Sequence, residues 1–201
     1  MDTELDDILK KSLTQFVNGI IEHGWYGKER EAISLYAFGT LLNFCKPGTI
    51  LDAPAQIGIE VRVPKPNRRD SMSSCPNPKR SQRPKNEVMK DLVIWQKPGL
   101  TCWDNERKPR NYPLAVIEWK VNDFKLWCND IDWLTDFTSD CETVGYAVAL
   151  DLNPLDLNAL YRGSPDVNAP GPIALDPTAP ALHLCCDRFA KGIRETQWHR
   201  V

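Results

Sequence analysis

The chain has no apolar run approaching the roughly 20 residues that a membrane helix needs, so no bilayer span is expected. It has no regular cysteine pattern. Its seven cysteines are an odd number at irregular intervals, which argues against a disulfide framework and points to a reducing cytosol. It has no charge excess: a formal net charge of −2 gives no bulk attraction to nucleic acid, so any basic surface must be local. The opening MDTELDDILKKSLTQ is acidic and polar and does not read as a secretory signal. There is no Gly-rich phosphate loop of the Walker or dinucleotide type. No paired Cys-x-x-Cys marks a structural zinc site, and His183, Cys185 and Cys186 read instead as buried thiols beside a solvent-facing His. No Cys or His stands in a recognisable nucleophile setting. Hydrophobic content of 42% and charged content of 26% leave one soluble globular domain with chain enough for a sizeable core.

Residues 5–22 place Leu5, Ile8, Leu9, Leu13, Phe16, Val17, Ile20 and Ile21 on one helical face, with Gly24 as C-cap. A second helix is predicted from about Lys28 to Phe44, stopped by Pro47-Gly48. Its run Ala32–Phe38 is apolar nearly all round and should be buried. Gly58–Val63 alternates and reads as a strand with Glu60 on its wet face. The insert from Pro64 to Lys85 holds Lys65, Arg68, Arg69, Lys79, Arg80, Arg83 and Lys85 against one acid, Asp70. It reads as a mobile loop whose cations suit phosphate contact.

Strands are predicted at 91–95 and 114–121, paired antiparallel as a hairpin. A helix from about Asp130 to Asp140 and an apolar strand over 145–150 follow. The order α-α-β-β-β-α-β implies an α/β fold, a mixed sheet with helices on its faces. Beyond residue 152 the prolines suggest loop. Residues 181–193 fit strand followed by helix, or helix throughout.

The chemistry concentrates on two strands. Asp91 opens one, and Glu118-Trp119-Lys120 closes the next. Alternation puts Glu118 and Lys120 on one face and Trp119 on the other. If the strands pair, the two carboxylates converge on one hard cation, Mg²⁺ or Mn²⁺. Lys120 adds a charge that orients water and offsets charge growing on a scissile phosphate. Glu29 and Glu31, at the start of the second helix, lie about 200° apart around it, so only one faces the site. Glu29, one turn before Ile33, is expected there. The competing reading makes Asp91, Glu118 and Lys120 solvated strand-end charges, with Glu118 and Lys120 a weak surface pair. Asp52 and Glu60-Val61-Arg62 form a decoy, since Arg replaces Lys poorly in activating water. Among the tryptophans, Trp95, Trp119 and Trp133 read as core, and Trp103 is the candidate for base stacking.

A helix-borne Glu, a strand, then Asp, an apolar Glu-x-Lys strand, a helix and a further strand together resemble the PD-(D/E)XK nuclease superfamily. Gly27-Lys28-Glu29-Arg30 is similar to the start of the first core helix in its resolvase-like members. The resemblance implies a restriction-endonuclease-like αβββαβ core over 25–151, with a helical extension at 1–24 and a C-terminal extension at 152–201 packed on the same domain. It implies a Mg²⁺-dependent DNA endonuclease with metal roles for Asp91, Glu118, Glu29 and the backbone carbonyl of Trp119, and Lys120 as the catalytic lysine. Arg68, Arg69, Lys79, Arg80, Arg83 and Lys85 would contact the nucleic acid. Many relatives act as dimers, and residues 5–22 or the C-terminal extension offer surfaces for a second copy or a protein partner. Two departures stand out: Lys90 where Pro is usual, and a long gap between Asp91 and Glu118.

Overall fold

The computed structural model describes residues 4–66, 87–122, 127–152 and 183–200. Helix α1 (Glu4–His23) buries Leu5, Leu9, Leu13, Phe16, Val17 and Ile20, as the apolar spacing predicts. Ile21, on the edge of that stripe, is exposed. The helix ends where Gly24 turns to φ +59, with Trp25 N–H bonded back to Ile20 C=O at 3.1 Å and Gly24 N–H to Ile21 C=O at 3.3 Å.

The second helical run keeps to the predicted span but is not one α-helix. It begins as α2 (Glu29–Ser34), widens to a π-turn over Leu35–Thr40 and tightens to 3₁₀ over Leu41–Phe44. The wide turn carries Gly39, a weak helix former. It leaves Tyr36, Ala37, Thr40 and Leu41 all buried, but Leu35 and Phe38 of the apolar run point outward and are exposed, so the run is not buried all round as expected.

The described strands form one mixed sheet in the order β1 (Ile57–Pro64), β2 (Glu87–Ile94), β3 (Ala115–Val121), β4 (Val144–Asp151), β5 (His183–Ala190), β6 (Ile193–Arg200). β1, β2 and β3 are successively antiparallel. β3 and β4 are parallel, which requires a crossover, and α3 (Trp127–Asp140) lies between them in the chain. One face of the sheet packs under α1 and α2 through Leu92, Ile94, Ile117, Trp119, Tyr146, Val148 and Leu184. There Trp119 meets the rings of Phe16 and Tyr36. The other face packs under α3 through Val93, Trp95, Val116, Ala147 and Phe189 against Leu134 and Phe137.

Residues 183–190, for which the sequence left helix open, form a strand. Buried charge hides their alternation. Arg188 lies with Leu184 and Cys186 on the α1 side and bonds Asp6 (Nε–Oδ1 2.9 Å), whose carboxylate also accepts from Tyr146. Asp187 on the opposite face pairs with Arg194 at 2.6 Å.

The clean alternation expected over 58–63 does not survive either. Ile57 and Ile59 pack toward α1 and α2, whereas Val61 and Val63 pack toward α3. β2 makes the same change: Leu92 and Ile94 face α1 and α2, and Val88 and Lys90 face α3. The β1–β2 ladder runs through Ile59↔Leu92, skips Glu60 and Asp91, and resumes at Val61↔Lys90. Glu60 takes φ +53 there. One residue on each strand is therefore extruded and both strands change face together, which a residue-by-residue alternation cannot reveal.

Candidate metal and phosphate site

The change of face at Asp91 also ends the contact between β2 and β3. Their pairing covers Leu92↔Ile117, Val93↔Val116 and Ile94↔Ala115 and goes no further. Past Ile117, the backbone groups of β3 that would have met β2 need other partners. Carboxylates supply them. Asp91 Oδ2 accepts from Trp119 N–H at 2.8 Å. Glu29 accepts from the N–H of Val121, the next residue facing that open edge. The Trp119 carbonyl, expected to face an ion, accepts from Lys120 Nζ at 2.7 Å.

Lys120 Nζ also lies 2.8 Å from Asp130 Oδ2, in the first turn of α3, and 3.7 Å from Glu29 Oε2. Burial alone would lower its pKa. Asp130 first, then Glu29 and Asp91, outweigh burial and hold the ammonium above its usual range. Lys120 is thus a fixed cation, suited to donating hydrogen bonds and unsuited to acting as a base near neutral pH.

Glu118 points to the α3 side, as alternation requires, and there it meets Lys90. The two side chains form an ion pair in which the residues are 4% and 3% exposed. The Lys90 ammonium also sits 3.5 Å from the centre of the Trp133 ring. Burial raises the Glu118 carboxyl above its ordinary range. Lys90 opposes the shift, while Asp91 and Asp130 add to it. Glu118 Oε1 has an ammonium as ion-pair partner yet accepts no well-aligned hydrogen bond, and the same holds for Asp130 Oδ2. Burial also raises Glu29, with Asp91 and Asp130 adding to it and Lys120 opposing.

Glu29, Asp91, Glu118 and Lys120 therefore meet at one corner of the sheet. Glu31 does not: its Oε2 accepts from Lys28 N–H at 2.7 Å and caps α2. The competing picture of solvated strand-end charges does not hold for Glu118 or Lys120, since both are largely buried. Asp52 accepts from Gly48 N–H at 2.7 Å and belongs to a turn, and Glu60 pairs with Arg30 at 2.8 Å on the surface. Trp103 bridges to Pro109 and packs on the α3-side cluster. Arg68, Arg69, Lys79, Arg80, Arg83 and Lys85 lie outside the described residues.

Two members of the corner were missed from sequence. Asp130 carried a usable signal: Leu134 and Phe137 follow it at helical spacing and are core, so Asp130 had to face the sheet. Lys90 carried none, because uninterrupted alternation from Leu92 turns it away from Glu118.

The donors present are hard oxygens, which suit Mg²⁺ or Mn²⁺. Four carboxylates (Glu29, Asp91, Glu118, Asp130) stand against two ammonium groups (Lys90, Lys120). Fully ionised, the corner carries two uncompensated negative charges, the charge of one divalent ion. Among the described residues no three Asp, Glu, His or Cys side chains are gathered closely enough to cage an ion by themselves. A site built from Asp91 and Glu118 would thus be open, leaving positions for water, as is usual for Mg²⁺. No family model, no curated protein and no solved structure matches the chain. Among the described residues no helix is long and apolar enough to cross a membrane.

Proposed function

We propose that this chain is a Mg²⁺- or Mn²⁺-dependent phosphodiesterase of the PD-(D/E)XK type, a DNA endonuclease of restriction, defence or repair acting in the reducing cytosol. The observation that carries the proposal is the meeting of Glu29, Asp91, Glu118 and Lys120, from one helix and two strands, where β2 leaves β3. The order α2-β1-β2-β3-α3-β4, with β3 and β4 parallel, supports a restriction-endonuclease-like core.

Asp91 and Glu118 would hold the ion, with Glu29 and the Trp119 carbonyl beside it. A divalent cation there supplies Lewis acidity toward the phosphate and lowers the pKa of a bound water. Lys120 orients that water by donation and offsets charge growing on the phosphate. Asp130 and Glu29 keep the Lys120 ammonium in place before substrate arrives, so little reorganisation is needed during the reaction. The cations of the 65–85 insert are assigned to DNA phosphates on composition alone.

A second reading has an observation of its own. Both pivotal groups already have internal partners, Lys120 in Asp130 and Glu118 in Lys90. That is the arrangement a non-catalytic interaction module on the same fold would show. The apolar face of α1 lies against the sheet, so such a module would bind through other surfaces.

Metal-dependent nicking of supercoiled plasmid separates the two. The nuclease reading expects wild type to nick with Mg²⁺ or Mn²⁺, and Asp91→Asn and Lys120→Ala to be inert while melting normally. Wild type inert on DNA and RNA across several metals would establish the module instead.

A further inference from the structure

Lys90 has no place in the mechanism above, yet it is among the most buried charged side chains described, and it is held on two sides. Its ammonium forms an ion pair with Glu118 and stands 3.5 Å over the face of Trp133. A buried ammonium is costly unless both charge and donor directions are met. Here a carboxylate and an aromatic face meet them, and the ring attracts the ammonium more strongly in a desolvated setting than at an exposed one.

We propose that Lys90 is the resident counter-cation of Glu118, and that a divalent ion binds this corner by taking Glu118 away from Lys90. The proposal rests on the assignment of Glu118 as a metal ligand. Its physical basis is charge and space. Glu118 is the carboxylate of the corner that lies wholly in the interior, so with no ion bound it needs a positive partner from the chain itself. Lys90 supplies one because the double change of face at Glu60 and Asp91 turns it toward α3. When the ion takes the carboxylate, the ammonium keeps the Trp133 face, so it need not cross the core to find a second partner. The lysine thus keeps the site folded before loading and competes with the ion during it. A chain lacking Lys90 would hold one more uncompensated negative charge at the corner and no competitor for Glu118.

The test is Mn²⁺ affinity, followed by calorimetry and by the electron paramagnetic resonance of free Mn²⁺, in wild type, Lys90→Met and Asp91→Asn under one set of buffer conditions. Met matches the length of the lysine stem and packs well on an aromatic ring, so the fold should persist. Lys90→Met is expected to bind Mn²⁺ at least roughly tenfold more tightly than wild type, a difference of about 1.4 kcal/mol. Asp91→Asn is expected to bind more weakly than wild type. Equal or weaker binding by Lys90→Met, with wild type binding and Asp91→Asn impaired, overturns the counter-cation role and leaves the metal site standing. No binding by any of the three chains overturns both. A wild-type measurement covers the case in which Lys90→Met does not fold: in ¹⁵N-lysine-labelled protein, Mg²⁺ should shift the side-chain resonance of the ring-shielded lysine. If that resonance stays put while Mg²⁺ binds, Lys90 does not release Glu118, and the proposal is wrong.

Discussion

The ion pair between Lys90 and Glu118 gives the sharpest stability prediction. Glu118→Gln leaves the Lys90 ammonium buried with only the Trp133 ring and an amide oxygen for company. Removing one partner of a buried pair costs about 3–5 kcal/mol. The ring contact offsets about 2 kcal/mol of that, so a loss of about 1–3 kcal/mol is expected. Lys90→Met should behave differently. It leaves a carboxyl, which can escape the penalty by taking up a proton, so its cost should be small near pH 5 and grow as pH rises. The double variant Lys90→Met/Glu118→Gln removes both charges and should recover most of the loss at neutral pH, because replacing a whole buried pair is often neutral or stabilising. Urea unfolding of the four proteins at pH 5, 7 and 8.5 measures the cycle. The expected coupling at pH 7 is about 1–3 kcal/mol, within the range for contacting residues. Additive single losses, or a Lys90→Met cost that ignores pH, would refute the interior pairing.

Further outcomes follow from the same geometry. Burial holds the folded-state pKa of the Glu118 carboxyl above its ordinary value of 4.5. Between the ordinary and the raised value the native state binds more protons, so this group's contribution to stability is full below about 4.5 and declines as pH rises through the folded value. Melting curves across that window should show the decline in wild type and lose it in Glu118→Gln. A methyl at Gly145 would meet Leu134 Cδ2 at 2.9 Å and both Phe189 Cβ and Thr138 Cγ2 at 3.2 Å. Gly145→Ala should therefore lift α3 and cost about 1–3 kcal/mol, and an unchanged melting temperature would contradict the close α3–β4 packing. Asp6→Ala strips Arg188 and Tyr146 of a shared buried acceptor. A loss of about 3–5 kcal/mol in urea unfolding is expected, with a value below about 1 kcal/mol counting against the clamp between α1 and the sheet.

Much of the architecture could be read from periodicity, because the elements that carry it are amphipathic in the ordinary way. The stripe on α1 and the apolar runs of β3 and β4 announce their faces directly, and the parallel pair β3–β4 follows from the helix between them. Within the candidate site, Asp91, Glu118 and Lys120 were visible because an ionisable group inside or ending an apolar strand is unusual. Glu29 could be chosen over Glu31 from its angle to Ile33. What escaped had physical reasons. Glu60 and Asp91 change the phase of two strands at once without altering their pairing sum, so the one-dimensional pattern looks regular while the faces exchange. Lys90 is placed by that exchange. β5 was obscured because Asp187 and Arg188, opposite charges side by side on opposite faces, are both buried against partners far away in sequence or across a hairpin. The wide turn over Leu35–Thr40 adds a residue per turn, which periodicity at 3.6 cannot register.

The most direct test is a crystal of the wild-type chain soaked in Mn²⁺ and measured at the manganese edge. An anomalous peak bonded to one carboxylate oxygen of Asp91 and one of Glu118, at about 2.0–2.3 Å from each, with Lys90 withdrawn onto Trp133, is the expected result. Saturating Mn²⁺ with no peak at that corner, and Glu118 still seated on Lys90, would contradict it.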